Sequence, residues 1–186
     1  MGSIRHKMDE IFTSPTSAFF KSAIPINVDP LPFEEFSKFL IKKFESGKRK
    51  VLPDTLEHGF NISNNITGDI QQLCEALWEV TSANDAVSPG NLKTALELIF
   101  TREQKFYEAF VSLLTDFQFK CLSALAREGG KSVYSMDFVK AVGPHSTASV
   151  NRAITRLIDI NILFKSGKEI KFVNPFFKAW LLPRGR

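Results

Sequence analysis

The sequence predicts a mainly α-helical protein: a helical bundle followed by a winged helix-turn-helix with a small β-hairpin. Three observations carry this. Apolar residues recur at helical spacing along most of the chain, as Phe33, Phe36, Leu40 and Phe44 do. Helix start and stop signals flank those stripes, most completely at Thr115, Gln118 and Gly129-Gly130. Near the end, "ILFKSGKEIKFV" (Ile162 to Val173) changes to short alternating runs around Ser166-Gly167, which is a hairpin signal.

Taken in order, "RHKMDEIF" reads as one or two helical turns closed by Pro15. "AIPINVDPLPF" holds three prolines, so only an edge-like strand or an extended connector fits there. "PFEEFSKFLIKKFESGK" is a strong helix. Glu34 and Glu35 lie in its first turn and Lys42 and Lys43 late in it, both favourable to the helix dipole. Gly47 is expected to end it. "VLPDTLEHGFNIS" gives a short helix and a loop. "NITGDIQQLCEALWEVTS" gives the next helix, with Ile70, Leu73, Cys74 and Leu77 on one face and Thr67 as its expected cap. Helical spacing resumes from Asn91 to about Leu114, through Leu92, Leu96, Ile99, Tyr107 and Phe110.

A second module is expected to start at residue 115, dividing the chain into 1–114 and 115–186. In "TDFQFKCLSALAREGG", Thr115 is the N-cap, Gln118 completes a capping box, and the glycine pair stops the helix. "YSMDFVKAVG" is a short helix ending at Gly143-Pro144. "STASVNRAITRLIDINIL" is the third helix, with Val150, Ile154 and Leu157 as its buried stripe. Three helices and then a hairpin make a winged helix-turn-helix, and "PFFKAWL" adds a last apolar helical turn.

The chain has 186 residues, 44% of them hydrophobic, enough for one or two small domains with real cores. Its 18 Phe serve as core filling, since Phe packs without needing a hydrogen-bond partner. Cys74 and Cys121 each sit in a helical apolar pattern, read as buried free thiols in a reducing cytoplasm. No signal peptide is expected, because no N-terminal segment has a charged head followed by an apolar body, and no membrane span, because no apolar run approaches the roughly 20 residues a span needs. Charge is uneven. Residues 1–110 carry 12 Lys and Arg against 15 Asp and Glu, whereas residues 111–186 carry 12 against 5. Two modules with different partners would account for this.

In DNA-binding winged helices the third helix enters the major groove and the wing touches backbone or minor groove. Here Ser146, Thr147, Ser149 and Asn151 crowd the helix start, and Arg152 and Arg156 stand one turn apart. Arg reads guanine edges, while Ser, Thr and Asn serve bases or phosphates. Lys165, Lys168 and Lys171 on the hairpin suit phosphates. Ordinary capping also explains the Ser and Thr residues. Pairing with Asp159, or plain solvation, explains the arginines, and winged helices also serve as protein-docking units. "KKFESGKRK" (Lys42 to Lys50) reads as solvated charge at a helix end or as a phosphate-contacting patch. His6, His58 and His145 lie too far apart in sequence for metal-ligand spacing, and no nucleophile has a base beside it in sequence.

At "GSIRHKMDEIF", "AFFKSA", "LPFEEFSKFL" and "TGDIQQLCEALW", followed by the winged-helix pattern, the chain resembles the C-terminal half of archaeal-type AAA+ ATPases, close to the signal-transducing (STAND) P-loop ATPases. The resemblance covers nearly the whole chain and implies a helical lid-type bundle before the winged helix. It implies that ATP and Mg belong to a complete family member, with no cofactor bound by this chain alone. The sequence contains no G-x-x-x-x-G-K-[ST], so no glycine-rich nest with its Lys cradles phosphates. The chain thus reads as a lid plus winged helix cut from, or split off, a larger ATPase. By the resemblance, Ser3 falls near the family's nucleotide-sensing polar residue, although Met1-Gly2-Ser3 reads equally as a cloning remnant. Lys21 follows Phe19-Phe20 where the family often has Arg, and lacks the guanidinium fork. Thr67-Gly68 match the opening of the lid helix, with Asp69 and Ile70 in place of its polar residue and Pro. The partners implied are duplex DNA, or an ATPase core domain or partner protein.

Overall fold

The helical stripes and the hairpin are both realised in the computed structural model, which describes residues 11–24, 26 and 30–183. Its elements in order are α1 (Phe33–Ser46), α2 (Pro53–Ile62), α3 (Thr67–Val80), α4 (Pro89–Ser112), α5 (Asp116–Glu128), α6 (Met136–Val142), α7 (Thr147–Asp159), β1 (Leu163–Ser166), β2 (Glu169–Phe172) and α8 (Pro175–Leu181). The fold is mainly α, with one two-stranded antiparallel ribbon among the described residues. The expected turns in "RHKMDEIF" fall largely outside the described residues; residues 11–13 are helical.

The chain divides into two compact units. One comprises residues 29–108 with 175–179, and the other residues 1–28, 109–174 and 180–186.

In the first unit, Phe36, Leu40 and Phe44 of α1 are buried as their spacing requires. Phe60 of α2 meets Phe33 edge-on at 4.9 Å and Phe36 at 5.5 Å. Ile70, Leu73, Cys74 and Leu77 form the buried side of α3. Of the stripe expected along α4, Ile99 and Tyr107 are fully buried, whereas Leu92, Leu96 and Phe110 are half-buried. Arg102 of α4 spans Glu75 and Glu79 of α3, at 2.9 and 2.5 Å. The Tyr107 ring lies 5.2 Å from that of Phe177.

One sequence expectation changes here, and another holds for a different physical reason. Thr67 is the first residue of α3, not its cap; Ile66 holds the cap position and no side chain caps the helix. Gly47 does end α1, but not by adopting a left-handed conformation: its φ is −98°, and Lys48 takes the positive φ of 56°. Glycine is required because a Cβ at residue 47 would lie 1.8 Å from Cη2 of Trp78. Over the same indole stands the Arg49 guanidinium, 4.3 Å from the ring centroid. Arg49 Nε donates to the Thr81 carbonyl at 2.7 Å and Nη1 to the Gly47 carbonyl at 3.0 Å. The loop after α1 is thereby fastened to the loop after α3, and the Lys50 amide adds a bond to the Asp85 carbonyl at 3.0 Å.

In the second unit, α5 packs on α6 and α7, and α7 runs into β1. The capping box is complete: the Gln118 amide donates to Thr115 Oγ1 and the Thr115 amide to Gln118 Oε1. Gly129 (φ 82°) closes α5 and Gly143 (φ 124°) closes α6. Val150, Ala153, Ile154 and Leu157 face inward from α7. The ribbon pairs Leu163 with Phe172, Phe164 with Lys171, Lys165 with Ile170 and Ser166 with Glu169. Its two-residue turn is Gly167-Lys168, with positive φ at Gly167 alone, the pattern of a type II′ turn. Gly130 adds a contact to β2, its carbonyl accepting from the Ile170 amide at 2.9 Å.

Candidate nucleic-acid interface

Helix α7 presents the candidate surface. Ser146 is its N-cap, its hydroxyl accepting from the Ser149 amide at 3.2 Å, which is a structural task. The Ser146 and Ser149 hydroxyls are 3.0 Å apart, and Arg152 Nη2 reaches Ser149 Oγ at 3.4 Å. Thr147, Asn151, Arg152 and Arg156 are exposed; Ser149 is half-buried.

At 100° per residue, Ser149, Arg152 and Arg156 fall on one side of α7, while Thr147 and Asn151 lie on the other shoulder. The polar residues thus form two edges flanking Ala148 and Thr155. Asp159 shares the exposed side, yet no ion pair within 4.0 Å joins it to Arg152 or Arg156 among the described residues. Both guanidinium groups therefore keep their full charge toward solvent.

The wing does not gather its three lysines. Alternation along a strand sends Lys165 to the ribbon face shared with Leu163, Ile170 and Phe172, and Lys171 to the face shared with Phe164 and Glu169. Lys171 is also spoken for, its ammonium lying 3.5 Å from Glu169. Lys165 and Lys168 are exposed, with Lys168 in the turn itself.

A depression of about 250 Å3 adjoins Arg152, lined by Thr115, Phe117, Gln118, Ser149 and Ala153. Phe117, one of its lining residues, has its ring centroid 4.1 Å from that of His145 in the loop before α7. Thr115 and Gln118 carry a capping signature in the sequence and no sign of a second role beside Arg152. That adjacency comes from the crossing of α5 and α7, which no spacing rule reports.

Of the residues placed near nucleotide by resemblance, Ser3 lies outside the described residues. Lys21 has a φ of 57° and its ammonium sits 5.2 Å from the Phe20 ring centroid. Thr67 and Gly68 occupy the first turn of α3. Burial pushes the thiols of Cys74 and Cys121 up, to about 12 and about 11. Among the described residues no cluster of three or more His, Cys, Asp or Glu is placed to hold a metal ion, and no helix is long and apolar enough to cross a membrane.

Residues 105–183 match a family model described as a probable winged helix domain. The match takes in α5, α6, α7, the ribbon and α8. No curated protein and no solved structure matches the chain.

Proposed function

We propose that this chain contacts duplex DNA through the exposed side of α7, with the wing turn on the phosphates. In this reading the chain is the lid and winged-helix portion of an ATP-driven machine of the AAA+/STAND type. One observation carries the DNA contact: Arg152 and Arg156 stand one turn apart, exposed, with no carboxylate against them. An α-helix with such a cationic edge fits the major groove, where Arg reaches guanine O6 and N7. Lys165 and Lys168 supply phosphate contacts. The link to an ATPase rests on the order of sequence motifs, and ATP with Mg belongs to the complete machine.

The test is duplex binding by the full chain at low and physiological salt. Binding that weakens steeply with salt, and is lost in Arg152→Glu with Lys168→Glu, supports the reading. No binding at low salt, or binding indifferent to the pair, overturns it.

A second reading, a regulatory module docking on the ATPase core or a partner protein, is favoured by Tyr134 and Met136. These apolar side chains at the start of α6 are 48% and 66% exposed. It is tested by supplying the core domain in trans and following hydrogen exchange at α6 and α7. Protection there supports docking, and unchanged exchange counts against it.

A further inference from the structure

Residues 29–108 carry 9 Lys and Arg against 13 Asp and Glu, yet six of those cations crowd into residues 38–50 beside a single acid, Glu45. Arg49 is committed to Trp78 and the Thr81 carbonyl. The other five, Lys38, Lys42, Lys43, Lys48 and Lys50, are all exposed, and none lies within 4.0 Å of a carboxylate among the described residues. Within this group Phe39 is 50% exposed, with the Lys43 ammonium 5.5 Å from its ring centroid and Phe36 stacked beside it at 6.4 Å. On α1 Phe39 falls between Lys42 and Lys43 in angle.

We infer that this face of α1 is a docking site for a short acidic peptide segment that seats an apolar side chain on Phe39. The cations attract carboxylates, and the half-exposed ring supplies the apolar contact that gives such a surface register and selectivity. The occupant is short because of what surrounds the patch. Outside residues 38–50 the same stretch of chain carries 12 acids against 3 cations. A long polyanion such as duplex DNA would run along α1 onto exposed Glu34 and Glu35 in its first turn, within reach of repulsion at a Debye length of about 8 Å. A segment confined to residues 38–46 meets Lys38, Lys42 and Lys43 against Glu45 alone, stopping short of exposed Glu35, which lies one turn before Phe39 on the same side of α1. Helix-end solvation accounts for Lys42 and Lys43 alone; it does not call for an exposed Phe between them.

The probe is a fluorescein-labelled 12-residue peptide of Asp and Glu with two central Leu, titrated into the full chain and followed by polarisation. The expected result is saturable binding that weakens with salt, falls at least about tenfold in Lys42→Glu with Lys43→Glu, and falls several-fold in Phe39→Ser or when the peptide's Leu are replaced by Ser. Arg152→Glu with Arg156→Glu leaves it unchanged, which separates this site from the α7 surface. Indifference to Phe39→Ser reduces the site to unselective charge attraction and overturns the proposal. So does absence of binding at low salt, or a 20-base-pair duplex that displaces the peptide and is itself lost in the double lysine variant. All the substituted side chains are exposed, and thermal melting verifies that each variant is folded.

Discussion

Gly130 and Ile170 touch through their backbones. A Cβ at residue 130 would lie 1.7 Å from the Ile170 carbonyl oxygen, and the Gly130 carbonyl already accepts the Ile170 amide at 2.9 Å. The obstacle is main chain, so no rotamer change relieves it. Gly130→Ala is expected to displace β2 and destabilise the winged helix by at least about 3 kcal/mol. Gly129→Ala, where nothing stands within 4 Å but φ 82° with ψ 173° is open only to glycine, should cost less, about 1–3 kcal/mol. Thermal melting of the two variants checks the order; equal losses would mean that β2 yields freely at Gly130.

The Gly47–Arg49–Trp78 assembly gives a second prediction. Arg49→Lys keeps the charge but loses the flat guanidinium over the indole and the fixed pair of donors, at a cost of about 1–2 kcal/mol. Gly47→Ala forces Trp78 out of its place and should cost more. Chemical denaturation measures the stabilities. A shifted Trp emission in Gly47→Ala, absent in Arg49→Lys, identifies the cause.

Asp69 carries a pH signature. Its place in the first turn of α3 favours charge, but burial prevails and, with Glu103 nearby, raises its pKa to about 6. The unfolded chain holds this proton only below about 3.9. Folding therefore binds the proton between those values, and ionised Asp69 costs stability that is regained as pH falls from 6 toward 4. Asp69→Asn should gain on the parent protein by about 1 kcal/mol between pH 4 and pH 8, the full shift being discounted because the side chain is only half-buried. A difference that stays flat with pH would contradict this.

For the DNA surface, the prediction is a salt slope. With Arg152, Arg156, Lys165 and Lys168 each neutralising a phosphate, the log–log slope of affinity against salt should be about −3 to −4. Arg152→Glu with Arg156→Glu should lower its magnitude by about 2. Lys171→Gln should leave it nearly unchanged, since that ammonium already faces Glu169 at 3.5 Å. Equal effects from all the wing lysines would mean that the ribbon lies flat on the duplex.

Much of this fold is readable from local pattern. Thr115 and Gln118 announced the start of α5, Gly129 its end, and Ser166-Gly167 the ribbon, because each signal acts through neighbours in sequence. What escaped depends on partners distant along the chain. Gly47 was expected to end α1 and does, but the reason it must be glycine is Trp78, distant along the chain. Arg49 read as one charge in a basic run and proved to be a brace across two loops. Thr67 had the right chemistry for a cap but lay one position inside the helix. At the candidate interface the exposure of Arg152 and Arg156 follows from the α7 stripe. The depression beside Arg152 depends on how α5 crosses α7.

Tyr107 and Phe177 stand 5.2 Å apart in space but at opposite ends of the stretch that matches a winged helix. Scissors applied just before Thr115, the boundary expected from the sequence, would part them. The downstream piece would carry Phe177, fully hidden in the whole chain, with one of its covers gone. Stickiness in such a fragment would report a bared ring, and its behaviour in any binding assay would reflect that wound before it reflected Arg152.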